Sequence, residues 1–325
     1  MTSMQTVPWP AVPGLEFRPL TAADVNMWLE LVERVAAFEK APWHMQRSEL
    51  MAAISDAVNP VADNSLAGVD GDGVVRVFAR VVKNPDGDKA HVYGGVDPLW
   101  QRRGIGRAVL AWQEARTAER FVADGQHAPK ARNYVEEDNP ALLALMAGAG
   151  YTVVRYFSEM LRPLEQAPAV PAPPGISIVS WTPELSEAVR LAHNEAFGDH
   201  WGSEPRTVEQ WDVQMAHEHG RLDLSAVAVD SATGDVAGYQ LATVDPESTN
   251  GRSEGYTELL GVRREWRGRG IAPALLADAM ARFAAAGLQY AALDVDTENP
   301  TGALGLYERM GYKPVRSSMA WDKAL

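Results

Sequence analysis

Hydrophobic and polar positions along the chain form two similar series of predicted elements. Each series opens with a short β-type run and a helix-type stretch, continues with further β-type runs, and then has a strand, a glycine-rich turn and a long apolar helix. A strand, a helix and a final strand close each series. The β-type runs include residues 15–19, 74–82, 176–180, 225–230 and 236–244, and the opening helix-type stretches are residues 22–40 and 183–196. This alternation predicts an α/β (α+β) fold with one central sheet in each series.

The two series share an internal sequence repeat. Residues 91–115, HVYGGVDPLWQRRGIGRAVLAWQEA, match residues 257–281, TELLGVRREWRGRGIAPALLADAMA. Downstream, EEDNPALLALMAGAGY ends at Tyr151 and DTENPTGALGLYERMGY ends at Tyr312. The repeat unit is far longer than the 20–50 residues of a solenoid, so the pattern indicates duplication of a whole domain.

A proline-rich segment separates the two copies. Residues 163–175, PLEQAPAVPAPPG, contain five prolines, which is typical of a stiff, extended connector rather than a packed element. We therefore predict an N-terminal domain at 1–162, a linker at 163–175 and a C-terminal domain at 176–325. A length of 325 residues also favours two domains.

Composition narrows the possible functions. The chain has no cysteine, which excludes disulfides, cysteine-based zinc sites and thiol nucleophiles, and the histidine spacing gives no metal motif. The net charge of −13 argues against a nucleic-acid partner and mildly favours a cationic substrate. Neither a signal peptide nor a run long enough for a membrane helix is visible. We expect a cytoplasmic protein that uses no metal and no membrane partner, as a monomer or homodimer.

The glycine-rich turn of each copy has the features of an anion site. Glycines allow positive φ and close approach of the backbone to a ligand, and N–H groups at a helix N-terminus attract anions such as pyrophosphate. Arg267 and Arg269, and Arg102 and Arg103 in the first copy, are expected to add contacts to phosphate oxygens. Neither copy has the third glycine of a dinucleotide-binding fingerprint or the lysine of a Walker A loop.

With these surroundings, both copies resemble the GCN5-related N-acetyltransferase (GNAT) superfamily. Arg267-Gly-Arg-Gly-Ile-Ala272 and Gln101-Arg-Arg-Gly-Ile-Gly106 are similar to its acetyl-CoA pyrophosphate loop, and the block from Asn299 to Tyr312 is similar to its Asn-x-x-Ala-x-x-Leu-Tyr block. The resemblance implies two tandem GNAT folds, each a central mixed, splayed sheet flanked by helices, with acetyl-CoA as cosubstrate between the fourth and fifth strands. The cofactor-binding residues that it implies are Leu260, Val262, Arg267, Gly268, Arg269, Gly270, Ile271, Ala272 and Asn299, and in the first copy Gln101, Arg102, Arg103, Gly104, Ile105 and Gly106.

Acetyl transfer to an amine needs a base for the ammonium proton and benefits from an acid for the departing thiolate. In the family, the tyrosine of the Leu-Tyr block is commonly that acid, which implies Tyr307 on a helix predicted over 301–310. Glu258 is the leading candidate base; strand alternation predicts that it shares a face with Val262, four residues on. Other candidate bases are Asp294, Asp296 and Glu254.

The first copy lacks both candidate catalytic groups. Met146 aligns with Tyr307 and Val92 with Glu258, so we expect the N-terminal domain to be non-catalytic, although it still has a plausible cofactor loop. In the family the oxyanion is held by a backbone N–H of the kinked fourth strand, which maps near Leu260.

The identity of the acceptor stays open at this point. A loop over 197–211 that contains His200, Trp201, Glu204 and Trp211 is expected to border the acceptor pocket, although tryptophans are more often packing residues. The favoured function is acetylation of a primary amine on a small molecule. The alternatives are a protein or peptide N-acetyltransferase and a catalytically silent CoA-binding regulator. The fusion of two such domains is also similar in layout to mycothiol synthase.

Overall fold

The computed structural model describes residues 7–41, 44–198, 200–245, 251–299 and 302–325. The chain divides into two compact units: unit 1 comprises Met1–Arg155 with Met319–Leu325, and unit 2 comprises Tyr156–Ser318. The domain ranges expected from the sequence stay a prediction, because the units are defined by contacts rather than by the repeat. Relative to those ranges, residues 156–162 lie in unit 2 and residues 319–325 lie in unit 1.

Each unit has strands and helices in the predicted order. In the first repeat they are β1 Glu16–Arg18, α1 Val25–Glu39, α2 Arg47–Ile54, α3 Val61–Asn64, β2 Ser65–Val69, β3 Val75–Val82, β4 Ala90–Val96, α4 Ile105–Ala123, β5 Lys130–Glu136, α5 Pro140–Gly148 and β6 Thr152–Pro163. In the second they are β7 Ile176–Ser180, α6 Ser186–Ala196, α7 Val208–Met215, β8 Ala226–Asp230, β9 Val236–Thr243, β10 Glu254–Val262, α8 Ile271–Ala285, β11 Tyr290–Asp296, α9 Ala303–Arg309 and β12 Lys313–Ala324. The predicted start of the last helix, at Thr301 after Pro300, lies outside the described residues.

Both units have a mixed sheet flanked by helices, as the sequence predicts. In unit 1 the strand order is β1-β2-β3-β4-β5, followed by the end of β12; in unit 2 it is β7-β8-β9-β10-β11, followed by the end of β6. Neighbouring strands from β1 to β4 and from β7 to β10 are antiparallel, whereas β4–β5 and β10–β11 are parallel. Each of these five-stranded series therefore contains one parallel pair after three antiparallel pairs.

Hydrophobic clusters cover both faces of each sheet. In unit 1, side chains of α4 pack on one face and those of α1 and α2 on the other. In unit 2, α8 covers one face, and α6 with the buried Trp211 of α7 covers the opposite face. The glycine-rich turns lead into α4 and α8, which places them at corresponding positions in the two units.

The edge beside the last strand of each unit is closed by a segment from the other repeat. In unit 2, β6 pairs antiparallel with β11, from Pro163 opposite Tyr290 to Phe157 opposite Asp296. In unit 1, the end of β12 lies beside β5, where Nε and Nη2 of Arg132 each donate to a carboxylate oxygen of Asp322 at 2.7 Å. Because an uncovered strand edge presents unpaired backbone groups, each repeat needs this exchanged segment to complete the sheet of the other.

The proline-rich segment is not the unpacked connector that its composition predicts. Leu164 is buried in the unit 2 core, Ala167 and Val170 pack against the same cluster, and the Leu164 N–H donates to the Gln289 carbonyl at 2.9 Å. The prediction of an unpacked segment is wrong here because the apolar side chains between the prolines pack into the core of unit 2. Proline stiffness does not prevent such packing.

Candidate functional site

The site in unit 2 begins where β10 and β11 part. The parallel pairing joins Glu254 to Tyr290, Gly255 to Ala291 and Tyr256 to Ala292. Immediately afterwards the register of β10 against β9 shifts between Thr257 and Leu259. This is the signature of a β-bulge, in which one extra residue bends the strand. The two strands then end on either side of an opening in the sheet.

The bulge decides which way Glu258 faces. Its negative charge acts on Tyr256 and on Arg206, which belongs to the loop before α7. Val262 instead packs on the α8 face, against the cluster that contains Ile271. The four-residue spacing from Glu258 to Val262 therefore does not place them on one face, because simple alternation fails across a bulge, and their shared face stays a prediction.

Two exposed carboxylates, Glu258 and Asp294, lie on the two sides of the opening. Each is two residues beyond the last parallel pair, Tyr256 with Ala292. Tyr256 pairs with Ala292, two residues before Asp294. Burial, with smaller effects of nearby carboxylates, holds the pKa of Tyr256 well above its usual value, so the phenol keeps its proton. Burial also raises the pKa of Asp294, an effect that the neighbouring Tyr256 phenol partly offsets. Asp294 is thus a carboxylate surrounded by protein yet open to solvent.

The other candidate bases have partners that fix them in structural roles. Glu254 lies 3.0 Å from the Arg252 guanidinium, which also donates to Glu159 at 2.7 Å. Asp296 is buried and accepts the Glu298 N–H at 3.0 Å, which orders the turn after β11. Of the four candidate bases, Glu258 and Asp294 are the two that are exposed at the opening.

Tyr307 lies on the α8 side of the same sheet. Its ring is buried in the cluster that contains Met280 and Leu293, and it meets Tyr312 edge to face at 6.0 Å between ring centroids. Burial raises the pKa of Tyr307 to about 12, so the phenol keeps its proton at neutral pH. In unit 1 the aligned residue, Met146, is equally buried in the corresponding core.

The glycine-rich turns of the two units have the same backbone conformation. Gly268 and Gly270 have φ of +74° and +85°, and the aligned Arg102 and Gly104 have φ of +64° and +81°. Positive φ is costly for arginine, so its retention at residue 102 shows that the turn geometry is strongly determined. In each unit the next residue, isoleucine, is buried and anchors the helix start, while the turn itself is exposed. The N-terminus of a long helix is thereby open to an anion.

The arginines of the turn have different roles. Arg267 donates to the Val262 carbonyl at 3.1 Å and to the Ala196 carbonyl at 2.8 Å. The aligned Gln101 makes the corresponding bond, to the Val96 carbonyl at 3.3 Å. These side chains tie the turn to the end of the preceding strand rather than reaching outward.

The exposed arginines of the turns are Arg269 in unit 2 and Arg102 and Arg103 in unit 1. The guanidinium of Arg103 stacks over Trp100 at 4.6 Å and donates to the Leu99 carbonyl at 2.9 Å. The remaining predicted cofactor residues lie around the turns: Leu260 and Val262 on β10, Ile271 and Ala272 at the start of α8, Asn299 in the turn after β11, and Ile105 and Gly106 at the start of α4.

The loop expected to border the acceptor pocket is only partly placed as predicted. Trp211 is buried in the core and donates to the Ser186 hydroxyl at 3.0 Å, so it is a packing residue. The Trp201 ring packs near Phe157, and the His200 ring near Phe197, at 6.2 and 5.4 Å between centroids. Within this loop, Asp199 lies outside the described residues.

A buried polar group near the opening was not expected from the sequence. His193 Nδ1 lies 2.6 Å from the Tyr239 hydroxyl oxygen, and burial lowers the pKa of His193 to about 3, with smaller effects of Arg206 and His200. The imidazole is therefore neutral at pH 7. Arg206, whose own pKa is lowered by burial, supplies positive charge beside Glu258.

Two further residues near the opening were missed by sequence reasoning. Tyr256 precedes Glu258 by two residues, so the period-two rule for strands was a usable signal for it. Glu159 lies opposite Asp294 on β6, which belongs to the first repeat, and no sequence signal places it in unit 2.

No group of three or more His, Asp or Glu side chains among the described residues is arranged to hold a metal ion. Within the same part of the chain, none of the helices is long and apolar enough to cross a membrane.

Comparison with known proteins identifies the family. Residues 186–312 match the family described as Acetyltransferase (GNAT) family. A mycothiol acetyltransferase of Thermomonospora curvata is 28% identical over 300 residues, which cover 86% of this chain and 94% of that protein. A mycothiol acetyltransferase of Salinispora tropica is 30% identical over 225 residues, which cover 67% of each chain.

Solved structures agree with this assignment. A GCN5-related N-acetyltransferase from Sphaerobacter thermophilus superposes with a TM-score of 0.74 at 26% identity, over 96% of each chain. A tandem GNAT protein from the clavulanic acid biosynthesis pathway has the same fold, with a TM-score of 0.67 at 21% identity over 95% of this chain and 98% of that one. The chain therefore belongs to the GNAT family and is an acetyltransferase with a tandem layout.

Proposed function

We propose that this acetyltransferase transfers the acetyl group of acetyl-CoA to a primary amine of a small molecule, and that the reaction takes place in unit 2. The observation that carries the proposal is the opening between β10 and β11, with carboxylates on the α6 side and the protonated Tyr307 on the α8 side. Mycothiol acetyltransferases, to which the chain is similar over most of its length, support a small-molecule acceptor.

The turn at 267–272 fits the pyrophosphate of acetyl-CoA. Its glycines leave the backbone N–H groups at the start of α8 uncovered, and the helix dipole favours negative charge there. Arg269 is the exposed cation of this turn, whereas Arg267 holds the turn in place. The acyl arm then follows β10 into the opening, where backbone N–H groups near Leu260 are free of the parallel ladder and available to the developing oxyanion.

The proposed reaction is direct attack of the amine on the thioester carbonyl. An acceptor that arrives as an ammonium first loses one proton to Glu258, directly or through water, and Glu258 releases it to solvent. The amine then attacks, a new N–C bond forms, the C–S bond breaks, and the nitrogen loses its second proton by the same route. Tyr307 donates its proton to the departing CoA thiolate, whose conjugate thiol has an ordinary pKa of about 8.5. The phenol regains a proton from solvent. No covalent enzyme intermediate is needed.

Unit 1 is proposed to be non-catalytic. Its β4 pairs with β3 in one unbroken register from Val77–Val96 to Val82–His91, so it lacks the bulge that redirects Glu258. The aligned Val92 is buried on the α4 face, and Met146 replaces the candidate acid. The preserved turn at 101–106 supports CoA binding there without chemistry.

The overall function is tested by acetyl-CoA turnover with a panel of amines: aminoglycosides, diamines, amino-sugar thiols, amino acids and short peptides. We expect CoA release and an acetylated product with at least one small amine. Turnover confined to peptides would favour the protein-acetyltransferase alternative. CoA binding without turnover on any acceptor would favour the silent regulator.

The two arginines of the unit 2 turn should respond differently to substitution. Arg269→Ala should weaken acetyl-CoA binding about tenfold, because it removes an exposed cation beside the phosphates. Arg267→Gln should change binding less than threefold, since Gln101 shows that glutamine can hold the same strand-end carbonyl. Titration calorimetry of the full chain measures both; equal losses would contradict the separation of roles. Because unit 1 is proposed to bind CoA as well, the affinity to compare is that of the unit 2 site, whose occupancy supports turnover.

Tyr307→Phe should lower kcat by about tenfold to a thousandfold with little change in acetyl-CoA affinity, because the phenol acts only as the thiolate leaves. Tyr312→Phe is the matched control, since its ring packs against Tyr307 in the same cluster. With a pKa of about 12, Tyr307 stays protonated in the working range, so any alkaline loss of activity below pH 10 belongs to another group. Equal kcat values for the two variants would remove Tyr307 from the mechanism.

Glu258→Gln should lower kcat/KM about a hundredfold at neutral pH, because the neutral amide cannot accept the ammonium proton. A base must be deprotonated to work, so wild-type kcat/KM should fall as the pH decreases. The Glu258→Gln variant should not show this decrease of kcat/KM at low pH. Glu265→Gln, an exposed position beyond the end of β10, is the control for the lost charge. If kcat/KM of the Glu258→Gln variant still falls at low pH, another carboxylate is responsible for the decrease.

A further inference from the structure

Asp294 differs from the acidic residues around it. Glu159 and Glu254 both contact Arg252, at 2.7 and 3.0 Å, and Glu159 also lies 3.9 Å from Arg316. The polar group nearest to Asp294 in the ladder is the phenol of Tyr256, which pairs with Ala292, and no described Lys, Arg or His forms an ion pair with Asp294. It is thus an exposed carboxylate at the opening that lacks a counter-charge from the protein.

The surroundings of the Asp294 carboxylate favour the binding of a cation there. Burial and the negative charge of Glu159 both raise the pKa of Asp294, and the neighbouring Tyr256 phenol opposes them. An ionised carboxylate in such surroundings gains more from a cation than one in open water. A ligand ammonium is a group that can supply that charge and donate hydrogen bonds at the same time.

Asp294 lies at the opening because β10 and β11 separate before it. Glu258 and Asp294 are each two residues past the last parallel pair, on opposite sides of the opening. Paired strands lie about 4.8 Å apart, and these two strands have separated beyond that point. An acceptor that places its nucleophilic nitrogen beside Glu258 can therefore place a second group beside Asp294 if a short chain joins them.

We propose that Asp294 determines acceptor specificity by binding a second cationic group, so that the preferred acceptor is a small diamine or another amine with two positive charges. Tyr256, which pairs with Ala292 two residues before Asp294, is proposed as a positioning residue for the carboxylate. This inference rests on the proposed function, because it assigns a substrate class to the same site. The negative charge of Asp294 and Glu159 also disfavours acceptors that carry a carboxylate.

The test measures kcat/KM of the full chain for three acceptors of equal length: 1,4-diaminobutane, 4-amino-1-butanol and 4-aminobutanoate. We expect that order of preference. Asp294→Asn should lower the ratio of diamine to amino alcohol about tenfold or more, because a charge-assisted contact is lost while the shape is kept. Tyr256→Phe should lower the ratio less, since the carboxylate remains.

Asp235→Asn is the matched control. It removes the same charge from an exposed position in the turn between β8 and β9, so it reports any long-range electrostatic effect on dications. Equal ratios for Asp294→Asn and Asp235→Asn would overturn the inference and leave the proposed function intact.

The remaining outcomes also separate the two proposals. Turnover of the amino alcohol or the aminobutanoate at least as fast as that of the diamine would overturn the substrate class alone. Absence of transfer to any amine would overturn the proposed function, and this inference with it. If Asp294→Asn does not fold, as judged by thermal unfolding, the wild-type order and the Tyr256→Phe ratio decide.

Discussion

In unit 2 the parallel ladder between β10 and β11 stops after Tyr256 and Ala292, and the site depends on that interruption. Two constraints impose it. Gly255 lets β10 approach α8 so closely that a Cβ there would overlap the Phe283 ring, which fixes the paired end of the strand. The bulge at Glu258 then bends β10 away from β11. The backbone groups of β10 beyond the ladder are available to a ligand only because Gly255 and the bulge at Glu258 lie within four residues of each other.

Comparison of the two units separates features needed for the fold from features needed for chemistry. The glycine-rich turn keeps its backbone conformation in both, even where Arg102 replaces glycine, and Gln101 and Arg267 make equivalent bonds. The polar groups at the opening are not kept: Val92 and Met146 are buried apolar residues. This difference is consistent with the proposal that unit 2 carries the chemistry, because a buried phenol such as that of Tyr307 needs a polar partner whereas a methionine in the same place does not.

The sequence was sufficient for the order of elements, the repeat, the turns and the position of Tyr307, because these depend on local periodicity and glycine placement. It was not sufficient for the direction of Glu258, since one extra residue in a strand reverses every later side chain. It was also not sufficient for Glu159 or Asp322. Each lies on a closing strand segment whose pairing partner is distant in sequence, and local pattern does not specify which sheet edge such a strand joins.

The faces of the sheet offer a physical reason for the proposed assignment of acid and base. Glu258 and Asp294 open towards the α6 side, whereas Tyr307 lies in the cluster on the α8 side. In the proposed transfer, the amine loses its proton before the thiolate gains one, and the two events involve opposite ends of the reacting carbonyl. Groups on opposite faces of one opening can serve both ends without exchanging a proton with each other. Burial reinforces this separation, because it keeps the Tyr307 phenol in its acid form at neutral pH, so that a proton is available on the α8 side when the thiolate departs.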